Sequence, residues 1–345
     1  MTSNNRRIKW IDIAKGIGIT AVVLGHSGNP FLSQYIYWFH MPLFFIISGY
    51  LHKQPDSPDM LAKNIGKKSR GLLIPYVSFY FLIFLVNKVI TGQPPAIAIK
   101  DFFPLIWGGQ LLVSAFAPFW FITVLYLTQL SFSVLLLKVK NKKTLFVIIF
   151  SSYVLSYFDS LLSVSGHDIK FMWDADVVLL AVVYYGAGYL LRTNKIVLDR
   201  KSLTLCSLIA CTAVALDSLG LMDYSLNMRS SRYNHFLLDL LIPIAISMMV
   251  LYFSRMIEKY SVGSGLANVG RYSLQIMCLH LTVNIIADHF VPRNFLFVTL
   301  IGIIIPILFS KFIFEKTKLT RLLFLGALPD RENQDYNRAA QNHFV

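Results

Sequence analysis

Four ionisable side chains, Asp12, Lys15, His26 and His40, stand inside two apolar runs between Arg7 and Lys53. Each run is about long enough to cross a bilayer. Ionisable groups at membrane depth are costly and mark functional sites by default. Lys15 and His26 lie eleven residues apart. On a helix that is about three turns, so both project from one face, roughly 16 Å apart. Asp12 precedes Lys15 by three residues and can pair with it. His40 opens the second run after an uncharged nine-residue connection, 27–35, so His26 and His40 share the outer half of one hairpin. Two imidazoles in one cavity suit general-base work. An ordinary histidine titrates near pH 6.5, and burial keeps it neutral and able to take a proton. It could deprotonate a sugar hydroxyl or carry an acyl group transiently.

Other residues carry two readings each. Lys15 reads as a snorkelling partner of Asp12 or as a cation for a phosphate or carbonyl of a cytoplasmic donor. Lys67, Lys68 and Arg70 read as an orientation signal or as a phosphate cradle. Trp120 reads as an aromatic-belt anchor or a sugar-stacking platform. His280, again intramembrane, reads as a satisfied structural histidine or a site residue, with Asn284 one turn on and Arg271 near the cytoplasmic end of its span.

The elements that must hold these groups are helices in a membrane. The chain has 345 residues, 55% hydrophobic and only 14% charged, with a mean hydropathy of +0.58. Soluble domains carry roughly 25% charge. Ten apolar spans are predicted, at about 11–27, 36–51, 72–90, 117–137, 144–162, 176–191, 203–221, 235–254, 271–288 and 295–314. The fold class is therefore all-α and polytopic. The first span has basic residues before it, like a signal peptide. Asp12 and Lys15 interrupt it and no small-residue cleavage site follows, so it reads as a retained helix. Cys206, Cys211 and Cys278 fall inside spans, with no metal or disulfide spacing, and read as packing residues.

A net charge of +14 could suggest nucleic acid. Its distribution argues for topology instead. Segments on the N-terminal side of the ten spans hold 25 of the 32 Lys and Arg, and the opposite side holds six. That asymmetry predicts both termini in the cytoplasm, the localisation being the inner membrane, with anionic headgroups as the partners of the excess charge. No nucleic-acid module is visible. One membrane domain, 1–328, is expected, followed by a polar, disordered cytoplasmic tail, 329–345. The outer connection 91–116 is apolar at its centre yet broken by prolines and glycines, and reads as re-entrant or interfacial. The segment 52–71 reads as a cytoplasmic loop ending in a basic amphipathic run.

DIAKGIGITAVVLGH, Asp12 to His26, followed by FHMPLFFIISGYL, Phe39 to Leu51, resembles the opening of the acyltransferase-3 family of membrane O-acyltransferases. Within it, the likeness is to the fucose 4-O-acetylase-like branch. The family's Arg or Lys, ten residues, then His falls on Lys15 and His26. Its basic RxxR element falls on Lys67 and Arg70, with a point charge where the family has a first guanidinium fork. Its Pro-x-Trp-Phe motif falls on Pro118 to Phe121, and its late Ser-Leu…His helix on Ser273, Leu274 and His280. The first-helix motif with the FHMP segment is highly specific, and the later matches are weak alone.

The resemblance implies acyl transfer, usually of acetyl, from acetyl-CoA to a hydroxyl of a cell-surface polysaccharide or lipid-linked glycan, with no metal. His26 and His40 would then be catalytic, and Lys15, Lys67, Lys68 and Arg70 would hold the donor. Asp12, Trp120, His280 and Arg271 would line the substrate. A transporter or flippase of a glycolipid or acyl donor, with the histidines as a proton relay, is the alternative. A structural membrane partner without catalysis explains the topology but not the intramembrane Lys and His.

Overall fold

The computed structural model describes residues 7–94, 98–167, 169–292 and 294–327. The predicted tail, 329–345, lies outside the described residues. The described chain is almost entirely helical. Its α-helices are α1 Lys9–Gly25, α2 Pro30–Tyr37, α3 His40–Tyr50, α4 Pro58–Ile90, α5 Phe103–Trp107, α6 Trp120–Lys138 and α7 Lys142–Val164. They continue with α8 Val178–Thr193, α9 Arg200–Ser218, α10 Leu238–Met256, α11 Ser261–Arg271, α12 Ser273–Asp288, α13 Phe295–Phe309 and α14 Lys318–Leu325. Two short strands, β1 Leu226–Asn227 and β2 Arg232–Tyr233, pair antiparallel, Leu226 opposite Tyr233.

Each of the ten predicted stretches contains a helix. Seven helical segments are long and apolar enough to cross a membrane: Pro58–Ile90, Ser114–Lys138, Lys142–Val164, Met172–Thr193, Arg200–Ser218, Leu238–Lys259 and Phe295–Phe314. Ser273–Asp288 is a shorter apolar helix. The protein is a multi-pass membrane protein. The remaining two stretches, those of α1 and α3, are short and lie at the centre. α1 packs against α2, α3, α10, α11, α12 and α13, and α3 is clasped between α1 and α8. The outer helices turn large apolar side chains outward, among them Phe146 and Phe150 of α7 and Leu205 and Leu208 of α9, as lipid-facing helices must.

Without water to drive helices together, close backbone contact holds them. Gly16 of α1 faces the Leu266 carbonyl, and Gly270 of α11 faces the Asp12 carbonyl, too close for any Cβ. Gly49 of α3 and Gly188 of α8 meet the Tyr185 and Ile46 carbonyls in the same way. The SGYL end of the second motif is thus a packing device as well as a signature.

Two expectations change. The span 36–51 is not one helix. Pro42 has no N–H to bond the Trp38 carbonyl and its ring would strike it, so the helix breaks at residues 38–39 and α2 occupies what was read as a connection. The segment 52–71 is a loop only to Ser57. Ser57 caps α4 by accepting the Met60 N–H, Pro58 starts the helix, and the basic run continues into the apolar one without interruption. The connection 91–116 holds α5 and short turns in its described part, with positive φ at Gly108 and Gly109.

Candidate active site

The end of α1 builds the site. His26 is its C-terminal cap residue, and Gly28, at φ +95, reverses the chain. Asn29 then caps α2 by accepting the Leu32 N–H at 3.1 Å. The last carbonyls of a helix lack partners inside it. Here α2 supplies them: Ser33 Oγ donates to the Gly25 carbonyl at 2.6 Å and the Tyr37 hydroxyl donates to it at 3.1 Å.

That geometry sets the state of His26. Its Nδ1 lies 3.1 Å from the Tyr37 hydroxyl. A phenol has one proton, and the carbonyl can only accept. With the phenol proton assigned to the Gly25 carbonyl, Nδ1–H donates to the Tyr37 oxygen and the lone pair falls on Nε2. His40 follows the same rule: its Nδ1 lies 2.9 Å from the Ile36 carbonyl, which the break after α2 leaves open. His280 repeats it, with Nδ1 at 2.9 Å from the Ile276 carbonyl and 3.0 Å from that of Met277. Its Nε2 is buried without a partner. The His26 and His280 ring centres are 5.4 Å apart, and Tyr37 and His40 are 5.1 Å apart. Three imidazoles thus cluster, each with its Nδ1 against an oxygen. Asn284, its amide oriented to donate, reaches the His280 carbonyl at 3.0 Å and Val298 at 3.3 Å, tying α12 to α13 behind the cluster.

His26, Tyr37 and His40 line a cavity of about 230 Å³ with Val22, Met41, Trp120, Met277 and residues 226–229. Trp120 sits in the cavity wall, 6% exposed, rather than in an outer belt. The wall formed by 226–229 belongs to the β1–β2 hairpin. Trp38 Nε1 donates to the Tyr224 carbonyl at 3.0 Å, the Tyr233 N–H donates to Ser160 at 2.8 Å, and Ser231 donates to Asp176.

At the other end of α1 lies a second cavity, of about 580 Å³. Asp12 and Lys15 line it, 3.9 Å apart as an ion pair, with Arg7, Lys53, Arg192 and Arg271. Arg192 is held there by donating to the carbonyls of His52, at 3.0 Å, and Tyr50, at 3.3 Å. Lys67, Lys68 and Arg70 do not line it. Lys67 is exposed, and Lys68 donates to Ser133 Oγ at 3.2 Å and the Gln129 carbonyl at 3.4 Å, on α6. Gln275 of α12 lines this cavity, and Met277, two residues on, lines the first. Gln275 Nε2 donates to the Phe324 carbonyl at 3.1 Å, while its Oε1 is buried without a partner. Among the described residues no three His, Cys, Asp or Glu side chains are grouped to hold a metal.

The structure brings His26, His40, Trp120 and His280 together at one end and Asp12, Lys15 and Arg271 at the other, so Asp12 and Arg271, expected beside the substrate, lie instead in the basic cavity. The sequence reading missed Tyr37, Arg229, Arg7, Lys53 and Arg192. Tyr37 had a signal, its place three residues before His40. Arg229 had only its charge in a loop.

A bundle of apolar helices with histidines at one cavity and arginines at another defines a multi-pass membrane protein with two candidate sites. The chain belongs to the acyltransferase-3 family, whose acyltransferase-domain profile matches residues 8–314. The nodulation protein NolL of Mesorhizobium japonicum is 36% identical over 100 residues, 26% of this chain and 26% of that protein. The nodulation protein NolL of Sinorhizobium fredii is 41% identical over 93 residues, 24% of this chain and 25% of that protein. The chain thus spans about a quarter of the length of the curated relatives it matches. No solved structure matches it.

Proposed function

We propose that the protein is a membrane O-acetyltransferase that moves acetyl from cytoplasmic acetyl-CoA to a hydroxyl of a cell-surface polysaccharide or lipid-linked glycan. The observation that carries this reading is the freed Nε2 of His26, on the same helix that carries Lys15 into a basic cavity. CoA phosphates would meet Arg7, Lys15, Arg192 and Arg271, and the pantetheine arm, on the order of 15–20 Å long, would follow α1 toward His26.

His26 Nε2 takes the proton of the acceptor hydroxyl as its oxygen attacks the thioester carbonyl. The tetrahedral intermediate collapses, the C–S bond breaks, and the imidazolium returns the proton to the CoA thiolate. The Tyr37 oxygen accepts Nδ1–H in both the neutral and the cationic ring, so it supports the charged state that forms. His40 orients His26 or the acceptor. With the lysine and arginine asymmetry, ten spans, both termini cytoplasmic and an inner-membrane location complete the reading.

The test compares surface glycan from cells lacking the gene and from the same cells given wild type or His26→Ala. Wild type should add acetyl that mild alkali removes. The variant, expressed and binding CoA, should lose turnover by about 10²–10⁴. If more than about a tenth of turnover remains, His26 is structural and the base is elsewhere.

A further inference from the structure

Arg229 is the one formally charged side chain among the described residues lining the His26 cavity, and no carboxylate lines it. It stands on the turn of the β1–β2 hairpin, and it does not line the basic cavity of Lys15 and Arg271. A guanidinium there is not loose. Its Nη2 donates to the Leu112 carbonyl at 2.7 Å, which fixes the plane of the group. The hairpin beneath it is itself anchored by Ser160 and Ser231. Its Nε, by contrast, is buried and has no partner. Burial pushes the guanidinium below its ordinary pKa, and the Asp174 charge draws it back up. A guanidinium stays protonated in either case.

Asp174 balances part of that charge from the side of residues 109–110, where it accepts the Gln110 N–H at 2.8 Å. The cavity side has no such counter-charge. A half-buried cation with an unused donor, held rigidly in the cavity that His26 and His40 line, is built to meet oxygens that carry negative charge. The thioester carbonyl arrives from the opposite cavity, so the group that Arg229 meets belongs to the acceptor.

We infer that Arg229 binds a carboxylate or phosphate carried by the acceptor, so that the hydroxyl presented to His26 belongs to an anionic sugar. This rests on the acetyltransferase reading for its place in catalysis, but its test does not need transfer to occur. The full-length protein in detergent, without acetyl-CoA, is titrated with methyl glucoside, methyl glucuronide and glucose 1-phosphate. Wild type should bind an anionic probe tighter than the neutral one by about tenfold or more, and added salt should narrow the gap. A glucuronide preference assigns the charge to the sugar, and a glucose 1-phosphate preference assigns it to the glycan's phosphate link. Arg229→Gln should erase the preference, Arg229→Lys should keep part of it, and His26→Ala should leave it in place. Equal binding of all three probes by wild type, or an undiminished preference in Arg229→Gln, overturns the inference. Should Arg229→Gln fail to fold, Arg229→Lys and the wild-type salt dependence decide. Absence of transfer by wild type with the preference intact would sink the acetyltransferase reading alone.

Discussion

Replacing Tyr37 by Phe deletes one oxygen and leaves the ring, which makes it a clean probe of how His26 is set. The hydroxyl accepts His26 Nδ1–H at 3.1 Å and donates to the Gly25 carbonyl at 3.1 Å. The second loss is cushioned, because Ser33 Oγ already donates to that carbonyl at 2.6 Å. The first is not. Without the phenol, the proton can sit on either ring nitrogen, and the cationic ring loses an acceptor. A neutral hydrogen bond of this kind contributes about 0.5–1.5 kcal/mol, which is about two- to tenfold in kcat. The loss should fall on kcat, with KM for acetyl-CoA unchanged, because Tyr37 and the basic cavity lie at opposite ends of α1. Acetyl transfer by purified Tyr37→Phe, alone and combined with His26→Ala, measures it. If Tyr37 acts through His26, adding Tyr37→Phe to His26→Ala costs nothing further. A Tyr37→Phe enzyme at wild-type kcat, or the same loss in both backgrounds, would refute the reasoning.

Three further outcomes are expected. Gly270→Val must drive α11 off the Asp12 carbonyl, whereas a Cβ at Gly265 on the same helix meets nothing within 4 Å. The first should lower the melting midpoint by the equivalent of about 1–3 kcal/mol or more and the second should change it little, as thermal unfolding in detergent will show. Arg271→Ala, in the basic cavity, should weaken CoA binding by about 10–100-fold, and Lys67→Ala, exposed on α4, by much less. In sealed vesicles, acetyl-CoA added outside should support transfer only when the vesicles are inside-out.

What the sequence revealed follows from which interactions are local. The spacing of Lys15 and His26 is a property of one helix, so their common face and their separation could be read directly. The apolar stretches likewise announce themselves by length. The break inside 36–51 was also written locally, in Pro42, but the surrounding aromatic run obscured it. The basic 67–70 run was read as a loop because its charge suggests water. Its residues are good helix formers, however, and a helix entered from water needs no break before its apolar half. Lys68 then spends its charge on α6, a contact between positions about sixty residues apart that no periodicity reports. Arg229 reaches the His26 cavity across some two hundred residues of chain, through a hairpin whose anchors lie on α7 and before α8. Such placements are tertiary, and composition cannot carry them.

The short central helices explain why the site can exist in a bilayer at all. α1 and α3 are 17 and 11 residues long; α3 is clasped between α1 and α8, and α1 packs against six other helices. Being short, they end inside the bundle, and their open carbonyls and capping side chains are polar groups that only protein can satisfy. Tyr37, Ser33 and the Nδ1 of His40 are those caps. The same hydrogen bonds that make a buried helix end tolerable therefore fix which imidazole nitrogen faces the cavity. In this protein the rule that backbone must be satisfied in a membrane and the chemistry proposed for His26 are met by one set of atoms. Lengthening α1 by a turn would relieve the first need and remove the second.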